Sequence, residues 1–294
     1  DSQMLNSRMT FAVPGIATYK RFWLEWYTNA IVAGIEEARA SQRMRWVPEV
    51  SRAQVDANRG RREGAQPDKS FTTLRSGDQT LAFAYSAHAT VFEEDRLALS
   101  GDWPGAAMNK FGGIFLPGAI GDVSPKSSLN TPVEKVADIV ESLEKGLNGG
   151  KKLHIAEAFF ELDSSSALID LDDPVPHPEF GESFGAPKPL DQVLIKRFAE
   201  ESARVTAVQI GGLAIVGIPG EPTSETGRKV QVLAQSMGFP HCLVVSHTNG
   251  WIGYILTEED YGKGGYEATL SMHGPKSGER VLDAARRALE SLSH

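Results

Sequence analysis

The chain has 294 residues, 41% apolar and 23% charged, enough to bury a full core as one large domain or two small ones and too apolar for intrinsic disorder. Its 30 Lys and Arg against 38 Asp and Glu leave a net charge of −8, so no cationic excess exists for a phosphate backbone and no nucleic-acid partner is expected. No transmembrane segment is expected either: residues 205–219 come nearest to the roughly 18 apolar residues of a membrane span, and Gln209, Gly211 and Gly212 interrupt them.

In residues 18–40, Trp23, Trp26, Tyr27, Ala30, Ile31, Gly34 and Ile35 recur at three- and four-residue spacing, which predicts a helix packed on a sheet. Residues 41–69, with Arg59, Arg61, Arg62 and Glu63, read as an irregular surface connection. Residues 81–87 predict a short strand, and 112–119 a buried strand leading into the turn Gly121-Asp122-Val123-Ser124-Pro125. Thr131-Pro132-Val133-Glu134 is a capping box, opening a helix that turns Val133, Val136, Val140, Leu143 and Leu147 inward and ends at Asn148-Gly149-Gly150.

Residues 154–162 predict a strand, and the Pro-, Asp- and Gly-rich 170–189 a long loop suited to a lid or site wall. Gly211-Gly212 between two apolar runs, 205–210 and 213–218, predicts a hairpin with a primed turn. Thr223 caps a helix running to about Met237, residues 242–246 form a strand, and a last helix from Ser277 turns Val281, Leu282, Ala285, Leu289 and Leu292 inward. The fold class is therefore α/β, a layered domain with a mixed β-sheet flanked by helices, spanning 1–294, and no internal repeat is visible. The single Cys242 makes neither a disulfide nor a CxxC clip. The opening Asp1-Ser2-Gln3 lacks a basic segment and apolar run, consistent with removal of a leader.

Polar residues gather where the predicted strands end: His88, then Asp122 and Ser124, then Glu221, then His247, Asn249 and Tyr254. Open α/β sheets place ligands at such ends, although a lone His after a strand is more often structural. The five tryptophans read as packing residues. No glycine-rich phosphate loop and no calcium loop is present.

These residues carry a resemblance. Ser86-Ala87-His88-Ala89-Thr90, Leu99-Ser100-Gly101-Asp102, Gly121-Asp122-Val123-Ser124-Pro125, Ile218-Pro219-Gly220-Glu221-Pro222-Thr223, Asn249-Gly250-Trp251-Ile252-Gly253-Tyr254, Glu258-Glu259-Asp260-Tyr261, Tyr266-Glu267-Ala268 and His273-Gly274-Pro275 follow the order of the neutral/alkaline (non-lysosomal) ceramidase family. Asn58-Arg59 also resembles that family's Asn-Arg-Ser-Pro turn. The resemblance, running from about Tyr19 to Pro275, implies a ceramidase-catalytic-domain-like fold that holds one zinc through two His, one Glu and one Tyr. It implies hydrolysis of the amide of N-acylsphingosine by a zinc-bound water. By position, His88, Glu221 and Tyr254 match three metal ligands, Ser124 a serine beside the site, and Asp102 a nearby acid. Nitrogen and oxygen donors suit Zn²⁺ and leave room for a water.

The chain departs from the family at Arg8-Met9-Thr10-Phe11-Ala12-Val13-Pro14-Gly15, where Met9 and Phe11 stand in place of two histidines. His247 or His273 is the candidate replacement imidazole. The family's strand-rich N-terminal segment and C-terminal immunoglobulin-like domain have no counterpart here, so a separate N-terminal chain or a homo-oligomer is a candidate partner, and the resemblance favours a secreted or periplasmic setting. Three readings stay open: a zinc-dependent amidohydrolase acting on a lipid-like N-acyl substrate, a metal-free hydrolase using Ser124 with His88 or His247, and an inactive member that binds a lipid or acylated amine.

Overall fold

The computed structural model describes residues 21–40, 49–92, 99–155, 162–184 and 188–292, and within it two β-sheets lie face to face. Helix α1 (Arg21–Ala40) precedes the first sheet. That sheet draws on β1 (Glu49–Gln54), β3 (Ser70–Ser76), β4 (Gln79–Tyr85), β5 (Ile114–Pro117) and β7 (Lys151–Leu153), in the order β5-β4-β3-β1-β7. The short strands β2 (Asn58–Gly60) and β6 (Val123–Pro125) pair with each other, and helices α2 (Asp102–Phe111) and α3 (Pro132–Gly149) cover the outer face.

The second sheet has the order β12-β10-β9-β8, from β8 (Leu162–Leu168), β9 (Arg204–Ile210), β10 (Leu213–Gly217) and β12 (His241–Val245). Between them run α4 (Phe180–Phe184), α5 (Lys188–Phe198), β11 (Glu221–Pro222) and α6 (Ser224–Ser236). After β12 come β13 (Tyr254–Ile255), α7 (Glu258–Gly262), α8 (Tyr266–Thr269) and α9 (Ser277–Glu290). Val50, Leu74 and Ala84 of the first sheet meet Ile210, Leu213, Leu243 and Val245 of the second. Helices α6 and α9 close the far side through Val230, Leu233, Val281, Ala285 and Leu289. The result is a helix, sheet, sheet, helix stack, which carries further the expectation of a mixed sheet between helices.

The two halves share one topology. In the first, β1, β3 and β4 are antiparallel neighbours, α2 crosses over to β5 parallel to β4, and α3 packs on β1 and β3. In the second, β8, β9 and β10 are antiparallel neighbours, α6 crosses over to β12 parallel to β10, and α9 packs on β8 and β9. Each central hairpin turns on two residues, with Gly77 at φ 57° and Gly211 at φ 54°, the positive φ that a primed turn requires.

Several local expectations are corrected. The apolar seam of α1 does not pack on a sheet: Trp26, Tyr27, Ile31 and Ile35 are exposed, and no described strand supplies a facing surface. Residues 49–54 and 58–60 are strands rather than irregular chain. Strand β1 is interior yet polar, its Ser51 bonding Thr73 Oγ1 at 2.8 Å and Arg52 reaching Thr72 and the Cys242 carbonyl. Strand β5 is a sheet edge, so Ile114 is exposed rather than buried.

The capping box of α3 forms with both of its hydrogen bonds, but Val133 points outward while Ile139, Val140 and Leu143 are buried. Of the strand expected over 154–162, residues 156–161 lie outside the described residues; β7 ends just before it at Leu153 and β8 begins at Leu162. The segment expected as a loop over 170–189 carries α4, and residues 185–187 lie outside the described residues; Val175 bridges His273, and the His177 ring lies 4.7 Å from that of Tyr261. Met9 and Phe11 lie outside the described residues.

Candidate functional site

Tyr85 at the end of β4 faces the outer helices of its half, as Ile218 just beyond β10 faces those of the other half. Three residues on, the first half places His88 and the second places Glu221. The backbone N–H of His88 donates to Val123 O at 3.1 Å, and that of Glu221 to Gly253 O at 3.0 Å. The residues after those two carbonyls are Ser124 and Tyr254. Four of the residues singled out from sequence therefore form two pairs of equivalent positions, His88 with Glu221 and Ser124 with Tyr254, where the halves meet.

The imidazole and carboxylate touch across this seam, His88 Nε2 to Glu221 Oε2 at 2.8 Å. His88 Nδ1 lies 3.0 Å from Val123 O, an acceptor with no proton, so Nδ1 carries the hydrogen. In the neutral ring, the lone pair of Nε2 then faces a carboxylate oxygen, an arrangement completed by a shared cation, either a proton or a metal ion. A backbone carbonyl fixing the tautomer from behind is the orientation that metal-binding histidines commonly have. Among the described residues no group of three or more His, Cys, Asp and Glu is placed to hold a metal.

Glu221 is buried, which pushes its pKa up, but the hydrogen bonds from His88 and Trp251 and the nearby His247 and His88 charges outweigh this and hold it below the usual range. The Trp251 indole N–H donates to Glu221 Oε1 at 2.9 Å, so this tryptophan orients the site, a role that the reading of all five as packing residues missed. Its signal lay in the Asn249-to-Tyr254 stretch. Tyr254 pairs with Glu221 through β11 and β13, and its ring centroid is 6.4 Å from that of His88 and 5.8 Å from that of Tyr266. Burial pushes the Tyr254 hydroxyl up, while a hydrogen bond from Arg61 pulls it down. Arg61 stood in the sequence as one charge among several, and only the fold brings it here.

The remaining residues divide. Ser124 stands on β6 opposite Arg59, and both ring nitrogens of His88 are engaged by Val123 and Glu221, so that imidazole is not available to it as a base. Asp102, at φ 51°, accepts from the backbone N–H groups of Val91, Phe92 and Trp103, and the Trp103 indole donates to the His88 carbonyl at 2.9 Å. It thus shapes the chain after His88 without touching the imidazole. Asp122 accepts from the backbone and hydroxyl of Ser224 and so holds the start of α6; burial pushes its pKa up.

His247, in a left-handed conformation at φ 55°, reaches solvent and lies near enough to Glu221 for their charges to interact. Protein packed around the rest of its ring pushes its pKa down, and Glu221 opposes this. His273 is buried elsewhere, with Nδ1 on Asp172 O at 2.8 Å. It is not brought to the seam.

Residues 191–282, which include Glu221 and Tyr254 but not His88, match the family model described as neutral/alkaline non-lysosomal ceramidase, N-terminal. The neutral ceramidase of Mycobacterium tuberculosis is 35% identical over 83 residues, 27% of this chain and 13% of that protein. Neutral ceramidase B of Dictyostelium discoideum is 32% identical over 76 residues, 24% of this chain and 11% of that protein. The crystal structure of neutral ceramidase from Pseudomonas aeruginosa superposes with a TM-score of 0.71 at 16% identity, over 94% of this chain and 57% of that one. A ceramidase complexed with C2 superposes at 0.72 and 15% identity, over 99% of this chain and 65% of that one. This chain thus spans less than two thirds of either solved structure. The chain is therefore ceramidase-like, with the fold of the neutral ceramidases over nearly its whole described length and their family sequence pattern over residues 191–282.

Proposed function

We propose that the chain is a hydrolase that cleaves the amide bond of a lipid-like N-acyl substrate of the ceramide class. The observation that carries this reading is the His88–Glu221 pair, with the imidazole fixed from behind by a backbone carbonyl and the carboxylate steered by Trp251. The donor set suits one zinc ion per chain, which His88 Nε2, the Glu221 carboxylate and the Tyr254 hydroxyl would hold, with His247 a candidate further imidazole. Bound there, zinc would polarise the amide carbonyl and lower the pKa of a water to about 7.

The chain's own groups supply the rest. Glu221, its Oε1 held by the Trp251 indole N–H, would help to orient a water in the seam. Tyr254, whose burial keeps its proton on at neutral pH, presents an O–H donor where negative charge develops on the carbonyl oxygen. Ser124, at the equivalent position of the other half, would be the hydrogen-bonding partner of the amide nitrogen.

The test is release of fatty acid from a short-chain N-acylsphingosine, measured beside the metal content of the purified protein. Cleavage with about one zinc per chain, both lost in His88→Ala, is the expected result. Cleavage that survives without metal and is blocked by a serine-directed inhibitor would sink the metal reading. Binding of the lipid without any release of fatty acid would sink the enzymatic one.

A further inference from the structure

The Arg52 guanidinium lies between the two sheets with no counter-ion among the described residues. Arg52 follows Val50 by two residues on β1, so its side chain leaves the face that meets the second sheet. Its Nε donates to Thr72 Oγ1 at 3.1 Å, and its Nη2 to the carbonyl of Cys242, on the edge strand β12, at 3.4 Å. Both acceptors are neutral, and no carboxylate of the described residues pairs with this half-buried cation. A charge drawn out of water without a partner is costly, and buried charges are ordinarily paired.

The cleft beside Arg52 holds about 180 Å³ and is walled by β1, β3 and β4 of the first half and by α6 and β12 of the second. Asp68 lines it too. Asp68 Oδ1 accepts from the Ser70 N–H at 2.8 Å and Oδ2 from Gln231 Nε2 at 3.0 Å, so its donors are neutral as well. The third charge on the walls, Arg228, is already paired with Glu225 at 2.7 Å. Arg52 and Asp68 both act on the Cys242 thiol, which burial pushes up to about 12; the arginine opposes that rise and the aspartate adds to it. The Ser86 hydroxyl, also on the cleft, bonds no group of the described residues.

We infer that this cleft is a binding site for a small zwitterion of the amino acid class, its carboxylate on Arg52 and the Ser86 hydroxyl and its ammonium on Asp68. A lone anion would satisfy the guanidinium but meet the Asp68 carboxylate, and a lone cation would do the reverse. A molecule carrying both charges completes both. Two of the five N–H donors of a guanidinium are in use here, which leaves the Nη1 side for a carboxylate. The room admits a molecule of a few heavy atoms. Because its walls come from both halves, such a ligand ties them together, two residues before His88 on the first. The inference is independent of the amide hydrolysis proposed above.

The probes are glycine, β-alanine and 4-aminobutyrate, whose charges lie progressively further apart, with acetate and methylammonium as single-charge controls. Each is titrated calorimetrically into the full chain. One of the three zwitterions is expected to bind at least about tenfold more tightly than either control, the scale of a second charge-assisted contact, and to raise the melting temperature. Asp68→Asn, which keeps the side-chain shape, should bring that zwitterion down to the affinity of acetate, and Arg52→Met should bring it down to that of methylammonium. Should Arg52→Met fail to fold, the Asp68→Asn comparison decides alone. Wild type that binds none of the zwitterions overturns the inference, as does a control that binds as tightly as the best of them, or a folded variant that binds it as wild type does.

Discussion

The two halves of the molecule reach one topology with different side chains. The first packs its outer face with rings: Phe71, Phe83, Tyr85, Trp103, Phe111 and Phe115 form a chain of edge-on and tilted contacts with centroids 4.9 to 6.4 Å apart. The second packs the equivalent face with Val205, Ala207, Ala214, Val216, Ala284, Ala285 and Ala288, so its helices lie against the sheet through small residues. Aromatic rings span more space between helix and sheet than alanines do, so the two halves fill the same layer with different side-chain volumes. The same divergence marks the seam, where one half offers an imidazole and a hydroxyl and the other a carboxylate and a phenol. Shared topology fixes where the functional positions lie, and local sequence decides what chemistry they hold.

The largest expected effect tests whether the halves are one cooperative unit. Leu213→Ala removes a fully buried side chain from the core between the sheets and should cost about 2–5 kcal/mol, read as a shift of a single denaturation transition. Two separated transitions would break the comparison, because the halves would then be independent. Next, His88→Ala and Glu221→Gln, which remove equivalent positions, should each lower amide cleavage by at least about a hundredfold, in a direct assay on purified protein. A loss confined to one of them would show the seam to be lopsided.

Asp102→Ala strips an acceptor from three backbone N–H groups and should cost about 1–3 kcal/mol, while amide exchange accelerates at Val91 and Phe92. Smallest is Asp56, an exposed carboxylate between Lys69 and Lys126, whose hydrogen bonds to those two lysines lower its pKa to about 2. A lowered folded pKa means stability present above the usual 3.8 and lost as pH falls towards about 2. Asp56→Asn should therefore change the melting temperature slightly at pH 7 and not at pH 2, with at most about 0.5 kcal/mol at stake.

What sequence made legible was what local chemistry determines. Gly211-Gly212 between two apolar runs announced the β9–β10 hairpin, and Thr131 with Glu134 announced α3. The matching hairpin at Gly77-Asp78 went unread because β3, with Thr72, Thr73 and Arg75, lacks an apolar alternation. Likewise β1 hides its interior position behind Ser51 and Arg52, which become tolerable only once Thr73 and Thr72 on the neighbouring strand satisfy them. The repeat was invisible for the packing reason given above.

At the site, His88, Glu221 and Tyr254 could be named from their motifs, whereas Arg61 and Trp251 act through partners far away in sequence. The surface of α1 marks the opposite failure. Its periodicity predicted the helix correctly, but periodicity shows that a face is apolar and not what lies against it.

The face-to-face sheets also bear on how the protein is made. Val50, Leu74 and Ala84 find their partners in Leu213, Leu243 and Val245, more than a hundred residues further along the chain. Contacts of such separation slow folding, because a long loop must close before they gain anything. On the ribosome, the first sheet emerges with its inner apolar face uncovered and stays so until the second hairpin has been synthesised. A nascent chain therefore lacks the core between its sheets until β12 is in place, and a chain halted earlier presents a sticky sheet for chaperones to shield.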